Sequence, residues 1–313
     1  MSDRIGHAKI ETILVPTDFS EASRAAVDEA ASWARMFGAH LHLLHAMVPF
    51  GPFLEPNISP AVPPPESMLE AIEEDARLRL GQLAESITAS KLPVETHCLR
   101  GSAPAEVIVA FAEKHGIGLV VMSSHGRRGV RRLLIGSVTE EVIRRSPCPV
   151  LVERRDGGAT RSSAAKRIVV PVDFSEASAQ SLERARLLAS TLGAEIDLLT
   201  VIQDPIYPAP YGAGEMPALV DHLPEIEGRA RRELDSLAGQ STSGPVARTF
   251  VRRGDPALEI LAHARDRDCG LIVISTHGTS GLSRLLLGSV TEKVLRRTTS
   301  AVFVVPAAIA FKD

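Results

Sequence analysis

The sequence predicts an α/β fold made of two tandem, doubly wound, Rossmann-like domains, and three observations support this. The length of 313 residues suits about two domains of roughly 150 residues. HGRRGVRRLLIGSVTEEVIRR at 125–145 returns as HGTSGLSRLLLGSVTEKVLRR at 277–297, and ILVPTDFSEAS at 13–23 returns as IVVPVDFSEAS at 168–178. In both copies short β-branched runs alternate with longer amphipathic segments, which is typical of a parallel sheet covered by helices on both faces.

The repeats divide the chain into two modules and a connection. We place the first domain at 1–153, the linker at 154–166 and the second domain at 167–313. The linker region is polar, contains glycine and shows no hydrophobic periodicity. Each domain contains five strand-like runs, so we expect a five-stranded parallel sheet in each.

The elements of the first domain follow from local patterns. Residues 9–16 form a short apolar run that a proline ends, and 20–37 repeat apolar residues at the three- and four-residue spacing of a helix. Ser20 is suited to cap this helix, and Gly38 follows its last turn. Further strands are predicted at 40–46, 92–99, 118–122 and 149–153, and further helices at 66–90, 104–115 and 137–145.

The second domain repeats this order. Its strands are predicted near 167–171, 195–202, 246–252, 270–274 and 301–305. Proline-rich stretches at 49–65 and 203–224 follow the second strand of each domain and are predicted to be irregular loops.

Composition excludes several classes of protein. A net charge of −3 argues against a dedicated nucleic-acid binder, and three cysteines without CxxC spacing argue against a disulfide framework or zinc site. The polar N-terminus does not resemble a secretory signal, and no apolar stretch approaches the roughly 20 residues that span a bilayer. We expect a cytoplasmic protein that does not bind membranes.

Doubly wound sheets bind ligands beyond the carboxyl ends of their strands, so the loops after the first and fourth strands are the candidate sites. Asp18 and Asp173 follow the first strand of each domain, where a carboxylate is suited to bind a ribose hydroxyl or an adenine amino group. The alternative is that each aspartate caps the following helix.

A glycine-rich stretch follows the fourth strand of each domain. It consists of an SSHG or STHG tetrad, nine residues, and then Gly-Ser at the start of a helix. Glycine allows close approach of phosphate, and a helix N-terminus supplies N–H groups and a positive dipole end. An ordinary loop followed by a helix cap would show the same residues, and either reading fits the spacing alone.

Taken together, PxDFS, the GSAPA/GDPA start of the third helix and HG-x9-GS resemble the universal stress protein family over nearly the whole chain. The resemblance implies an adenine-nucleotide-alpha-hydrolase-like fold whose domains pair through their last strands, here within one chain, with a homodimer as a further option. It also implies that ATP, ADP or AMP binds, with Mg²⁺ accompanying the nucleotide. The implied contact residues are Asp18, Ala46, Ser123, Gly126, Gly136 and Ser137 in the first domain, and Asp173, Val201, Ser275, Gly278, Gly288 and Ser289 in the second.

Two features qualify this expectation. The first glycine of the family's G-x2-G-x9-G-(S/T) motif is serine in both domains, at Ser123 and Ser275, and a Cβ is costly wherever the backbone needs positive φ. The chain also lacks the Walker, kinase and nucleophile-elbow motifs. We therefore expect a nucleotide-binding stress-response regulator without strong catalysis. The alternatives are a slow Mg-dependent ATP hydrolase or phosphotransferase, and a nucleotide-free interaction scaffold.

The histidines of the second strand, His40, His42 and His45, give no convincing ligand set. Side chains alternate across a strand, so at most His40 and His42 share a face. A zinc site needs three or four convergent ligands, and we therefore expect no metal site there.

Overall fold

The computed structural model describes residues 10–48, 65–88, 92–124, 135–154, 161–203, 223–240, 245, 247–276 and 287–307. The first half contains β1 (Thr12–Pro16), α1 (Glu21–Phe37), β2 (His40–Met47), α2 (Glu66–Thr88), β3 (Val94–Arg100), α3 (Pro104–Lys114), β4 (Leu119–Ser123), α4 (Ser137–Arg145) and β5 (Val150–Glu153). The second half contains β6 (Arg167–Pro171), α5 (Glu176–Leu192), β7 (Glu195–Ile202), α6 (Leu223–Gly239), β8 (Ala247–Arg253), α7 (Pro256–Asp266), β9 (Leu271–Ser275), α8 (Ser289–Arg297) and β10 (Ala301–Val305). The proline-rich stretches lie almost entirely outside the described residues.

The first helix of each half begins and ends where its sequence predicts. Ser20 is extended and its hydroxyl accepts a hydrogen bond from the backbone N–H of Ser23, while Gly38 takes a left-handed conformation with φ of 65°. Ser175 and Gly193 repeat both features around α5. Glycine adopts this conformation without the steric cost of a Cβ, so these helices end at defined positions.

The ten strands form one sheet in the order β3-β2-β1-β4-β5-β10-β9-β6-β7-β8. Within each half the pairing is parallel, which confirms the doubly wound α/β class. The two halves meet where β5 and β10 pair antiparallel, with Phe303 opposite Leu151. The last strands of the two repeats therefore pair within the chain, and two five-stranded parallel sheets become a single mixed sheet.

Apolar side chains cover both faces of this sheet in two clusters, and each cluster contains residues of both halves. The rings of Trp33 in α1 and Phe303 in β10 are both fully buried and stack with centroids 6.2 Å apart. The apolar residues of α4 and α8 belong to the other cluster, and Arg296 in α8 pairs with Glu140 in α4 at 3.4 Å. The joint between the halves thus combines backbone pairing, a buried aromatic contact and an ion pair.

The described end of the linker is packed against the first half. Residues Ser162–Ala164 form a short 3-10 helix, and Ser162 is completely buried. Its hydroxyl donates to the carboxylate of Glu29 at 2.9 Å and is hydrogen-bonded to Glu153. The polar composition of this segment therefore reflects a buried polar network as well as exposure to solvent.

No helix in the described part of the chain combines the length and the apolar character needed to cross a bilayer.

Candidate functional site

The sheet order brings the predicted site residues to one edge in each half. In the first half β1 lies between β2 and β4, so the chain reverses its winding direction between β1 and β4. Asp18 follows β1 and Ser123 ends β4, at the carboxyl ends of two neighbouring strands. Asp173 and Ser275 hold the same positions beside β6 and β9. This is the switch point at which open α/β sheets bind ligands.

Each aspartate is part of a tight turn that enters the next helix. The carboxylate of Asp18 accepts a hydrogen bond from the backbone N–H of Ser20 at 3.0 Å, and Asp173 accepts one from Ser175 at 3.1 Å. Ser20 and Ser175 themselves cap the helices. The aspartates are therefore not the N-caps of these helices. The capping role belongs to the serines two residues further on.

The residue after each aspartate has a strained backbone. Phe19 has φ of 63° and Phe174 has φ of 61°. A residue with a Cβ pays about 1–2 kcal/mol for the left-handed conformation. The same outlier at the same position in both halves shows that the strain belongs to the turn and not to one local packing accident, and such outliers concentrate at functional sites.

The start of α4 is fastened to the end of β4. The backbone N–H of Gly136 donates to the carbonyl of Ser124 at 2.8 Å, and the hydroxyl of Thr139 donates to the carbonyl of Ser123 at 3.1 Å. The second half repeats this arrangement, with Gly288 bonded to Thr276 and Thr291 bonded to Ser275, each at 2.8 Å. Two hydrogen bonds thus fix the N-terminus of each helix beside the switch point.

The N-termini of these helices have the features of an anion site. Gly136 and Gly288 occupy the N-cap positions without a side chain to cap the helix, and Ser137 and Ser289 are the first helical residues. The N–H groups of a first helical turn lack partners within the helix, and the dipole adds positive potential there. Both helices therefore direct donors towards the edge that carries the aspartates.

The structure describes two of the four remaining predicted residues. Ala46 and Val201 are half-buried near the ends of β2 and β7, on the strands next to β1 and β6. Gly126 and Gly278 lie outside the described residues.

His45 also lies at this edge, although its sequence pattern suggested only a metal ligand and not a part of this site. Its Nδ1 lies 2.8 Å from the carbonyl oxygen of Thr17, and its ring packs against Phe19 with centroids 4.6 Å apart. His45 thus supports the turn that holds Asp18. The corresponding position in β7 is Thr200, so the repeat offered no signal for it.

Comparison with known proteins gives a consistent result. The model of the universal stress protein family matches residues 9–154 and 164–306. A universal stress protein from Mycolicibacterium smegmatis is 30% identical over 303 residues, which cover 94% of this chain and 96% of that protein.

Among solved structures, a universal stress protein from Archaeoglobus fulgidus covers 96% of this chain and 100% of its own, with a TM-score of 0.68 and 22% identity, a likeness that concerns the fold. A universal stress protein solved in complex with cAMP covers 46% of this chain at 27% identity, with a TM-score of 0.33.

Proposed function

The chain belongs to the universal stress protein family, and on that basis we propose that it binds an adenine nucleotide at each of two sites and acts as a cytoplasmic stress-response regulator. One observation carries this proposal. In both halves a strained aspartate turn and an anchored helix N-terminus meet at the ends of two neighbouring strands. A nucleotide has a neutral, hydrogen-bonding end and an anionic end, and this edge offers a partner for each.

The phosphates are assigned to the helix N-termini. Backbone N–H groups at Ser137 and Ser289, together with the helix dipoles, favour negative charge at this position. In each half the adenosine is assigned to the side of the site formed by the aspartate and the end of the second strand. These are Asp18 with β2 in the first half and Asp173 with β7 in the second. Mg²⁺ would accompany the phosphates and offset their charge.

Serine in place of the family's first motif glycine is compatible with this assignment. Ser123 and Ser275 are the last residues of β4 and β9, and neither is among the described residues with positive φ. A Cβ at these two positions therefore carries no left-handed strain. The replacement changes the surface offered to the ligand without distorting the strand that supports it.

The test uses the two N-cap glycines, which have extended backbone conformations. In a Gly136→Asp, Gly288→Asp double variant the new carboxylates cap the helices but repel phosphate. The control is Gly136→Asn, Gly288→Asn, because asparagine has nearly the same size and capping ability without the charge. Calorimetric titration with ATP–Mg²⁺ should show binding to the wild type, retained binding in the asparagine variant and a loss of at least about tenfold in the aspartate variant.

Equal affinities in the aspartate and asparagine variants would show that phosphate is not bound at these helix starts. A folded wild type that takes up neither ATP, ADP nor AMP would favour the interaction scaffold instead. Phosphate release in the same samples separates binding alone from slow hydrolysis.

A further inference from the structure

A second polar cluster lies in the first half, towards the amino ends of the strands and away from the aspartate turns. We call it the histidine cluster, and it consists of His42, Glu95, His97 and His115. His42 is on β2, Glu95 and His97 are on the neighbouring edge strand β3, and His115 follows α3. His42 is buried, and the side chain of Glu95 is 63% exposed. The cluster therefore has a buried floor and an open side.

Three donor atoms of this cluster converge on one point. The Nδ1 of His42 and the Nε2 of His97 are 3.2 Å apart. The Oε2 of Glu95 lies 3.7 Å from each of these nitrogens. Ligands of a tetrahedral zinc ion at bond lengths of about 2.0–2.2 Å are separated by about 3.3–3.6 Å. The distances between the three atoms are thus close to those between the ligands of a bound zinc ion.

The electrostatic surroundings favour a cation. Burial lowers the pKa of His42 and of His97, which favours the neutral rings that keep a lone pair for bonding. The carboxylate of Glu95 acts on both rings and supplies negative charge, while the other groups that act on them are further histidines. Two imidazoles and one carboxylate form a ligand set common in zinc sites that keep an open position.

We infer that His42, Glu95 and His97 form a binding site for one divalent cation of the zinc type, with the fourth position open to water. The exposed Glu95 provides the entry path. Without a cation, the two imidazoles satisfy each other through one hydrogen bond, which explains how the cluster is stable when empty. This site shares no residue with the proposed nucleotide sites, and His42 lies four residues before Ala46 on β2.

In the second half, the position that corresponds to His42 belongs to a network of ion pairs. Asp197 takes the place of His42, since both are the third residue of the second strand and pair with the second residue of the next. The carboxylate of Asp197 contacts His263 at 3.0 Å and Arg267 at 3.1 Å, with Arg167 at 3.8 Å. Two guanidinium groups already neutralise this carboxylate and would repel a metal ion.

The position of the site suggests its effect on the fold. β3 is an edge strand, and all seven of its residues are partly buried or exposed. A metal ion bound by one residue of β2 and two of β3 links the edge strand to its inner neighbour. Because the metal binds the folded chain only, it also stabilises that chain against unfolding.

The experiment titrates Zn²⁺ into untagged, full-length protein that has been treated with EDTA and dialysed into buffer free of phosphate and nucleotide. We expect one saturable Zn²⁺ per chain by calorimetry, and a rise in the thermal midpoint on zinc addition. Glu95→Gln, at an exposed side chain, should weaken binding by at least about tenfold, since one charged ligand is lost. His97→Phe should abolish it, and the second half already has Phe250 at the corresponding position.

His40→Gln is the matched control, because His40 is an exposed histidine on the same strand, and it should bind zinc as the wild type does. Co²⁺ in place of Zn²⁺ gives a second readout, since a tetrahedral site with imidazole ligands absorbs in the visible range. Circular dichroism confirms that each variant is folded. The inference is overturned if the folded wild type binds no zinc, if Glu95→Gln and His97→Phe bind it unchanged, or if His40→Gln loses it.

Discussion

The indole N–H of Trp33 donates a hydrogen bond to the hydroxyl oxygen of Ser162, 2.9 Å away, and so joins α1 to the segment that connects the two halves. The same hydroxyl is bonded to Glu29 and Glu153, and the backbone N–H of Ser163 donates to Glu29 at 2.5 Å. One buried oxygen therefore organises a tryptophan and two carboxyl groups. The first helix, the fifth strand and the connection are held in one polar network.

Replacement of Ser162 by alanine should destabilise the protein by about 1–3 kcal/mol, because buried polar groups would lose their common partner. The quantity to measure is the free energy of unfolding from urea denaturation. Ser163→Ala is the matched control, since the contact of Ser163 with Glu29 uses its backbone and survives the change. Similar losses in the two variants would contradict the role given to the Ser162 hydroxyl.

Stability should fall as pH rises through the neutral range because of Glu153. Burial, with the nearby charge of Glu29, raises the pKa of the Glu153 carboxyl to about 8. Between about pH 4.5 and 8 the folded chain then holds a proton that the unfolded chain has released, so the free energy of unfolding decreases by at most about 1.4 kcal/mol per pH unit. The stabilisation is complete below about pH 4.5 and is lost by about pH 8.

Glu153→Gln removes this titration and keeps a neutral side chain of similar size whose amide N–H can donate to the Ser162 oxygen. Urea denaturation between pH 5 and 9 should therefore give a flatter profile for the variant. Parallel profiles for wild type and variant would show that the carboxyl group titrates normally.

Truncation of Phe303 to alanine should cost about 3–5 kcal/mol, because a fully buried ring at the joint of the two halves leaves a cavity against Trp33. Leu258→Ala on α7 is the comparison, since half of that side chain is already in solvent, and its effect should stay within about 0.5 kcal/mol. Urea denaturation measures both. Comparable losses would mean that the aromatic contact contributes little to the joint.

Asp197→Ala should destabilise the second half by about 3–5 kcal/mol, because it leaves His263 and Arg267 without their buried carboxylate. Burial opposes ionisation of Asp197, but these two partners hold its pKa below the usual value. Its contribution is therefore present above about pH 4 and is lost as pH falls through the lowered pKa. Acid titration of the wild type and the variant should converge at low pH.

Glu195→Ala is the control for this change, because Glu195 pairs with Arg167 from the exposed end of the same strand. A surface pair contributes little, so this variant should unfold almost as the wild type does. An equal loss in both variants would indicate that charge balance along β7, and not burial of Asp197, determines the effect.

Local patterns were sufficient for the elements of the fold. Ser20 and Gly38 mark the ends of α1 through chemistry that depends on a few neighbouring residues, and Pro104 is the first residue of α3 for the same reason. The internal repeat then supplied the second half. Local patterns do not predict that the ten strands form a single sheet, because the pairing of β5 with β10 depends on contacts between residues far apart in the chain.

One of the two candidate sites could be predicted from the sequence, and the other could not. Asp18 and Ser123 could be selected because a doubly wound topology places the ends of the first and fourth strands side by side. The histidine cluster was missed because only histidines of one strand were considered. Glu95 and His97 come from the next strand, and their meeting with His42 is set by the register of β2 against β3.

The antiparallel pairing of β5 with β10 frees this chain from a constraint on symmetric dimers. Two identical modules that meet on a twofold axis must each present the same residue, so any change appears twice. Here one gene product carries both partners, dilution does not separate them, and their effective concentration is set by the connection. Each repeat is then free to diverge. Such divergence has occurred at one pair of equivalent positions. One repeat has histidines there, and the other has an aspartate paired with arginines.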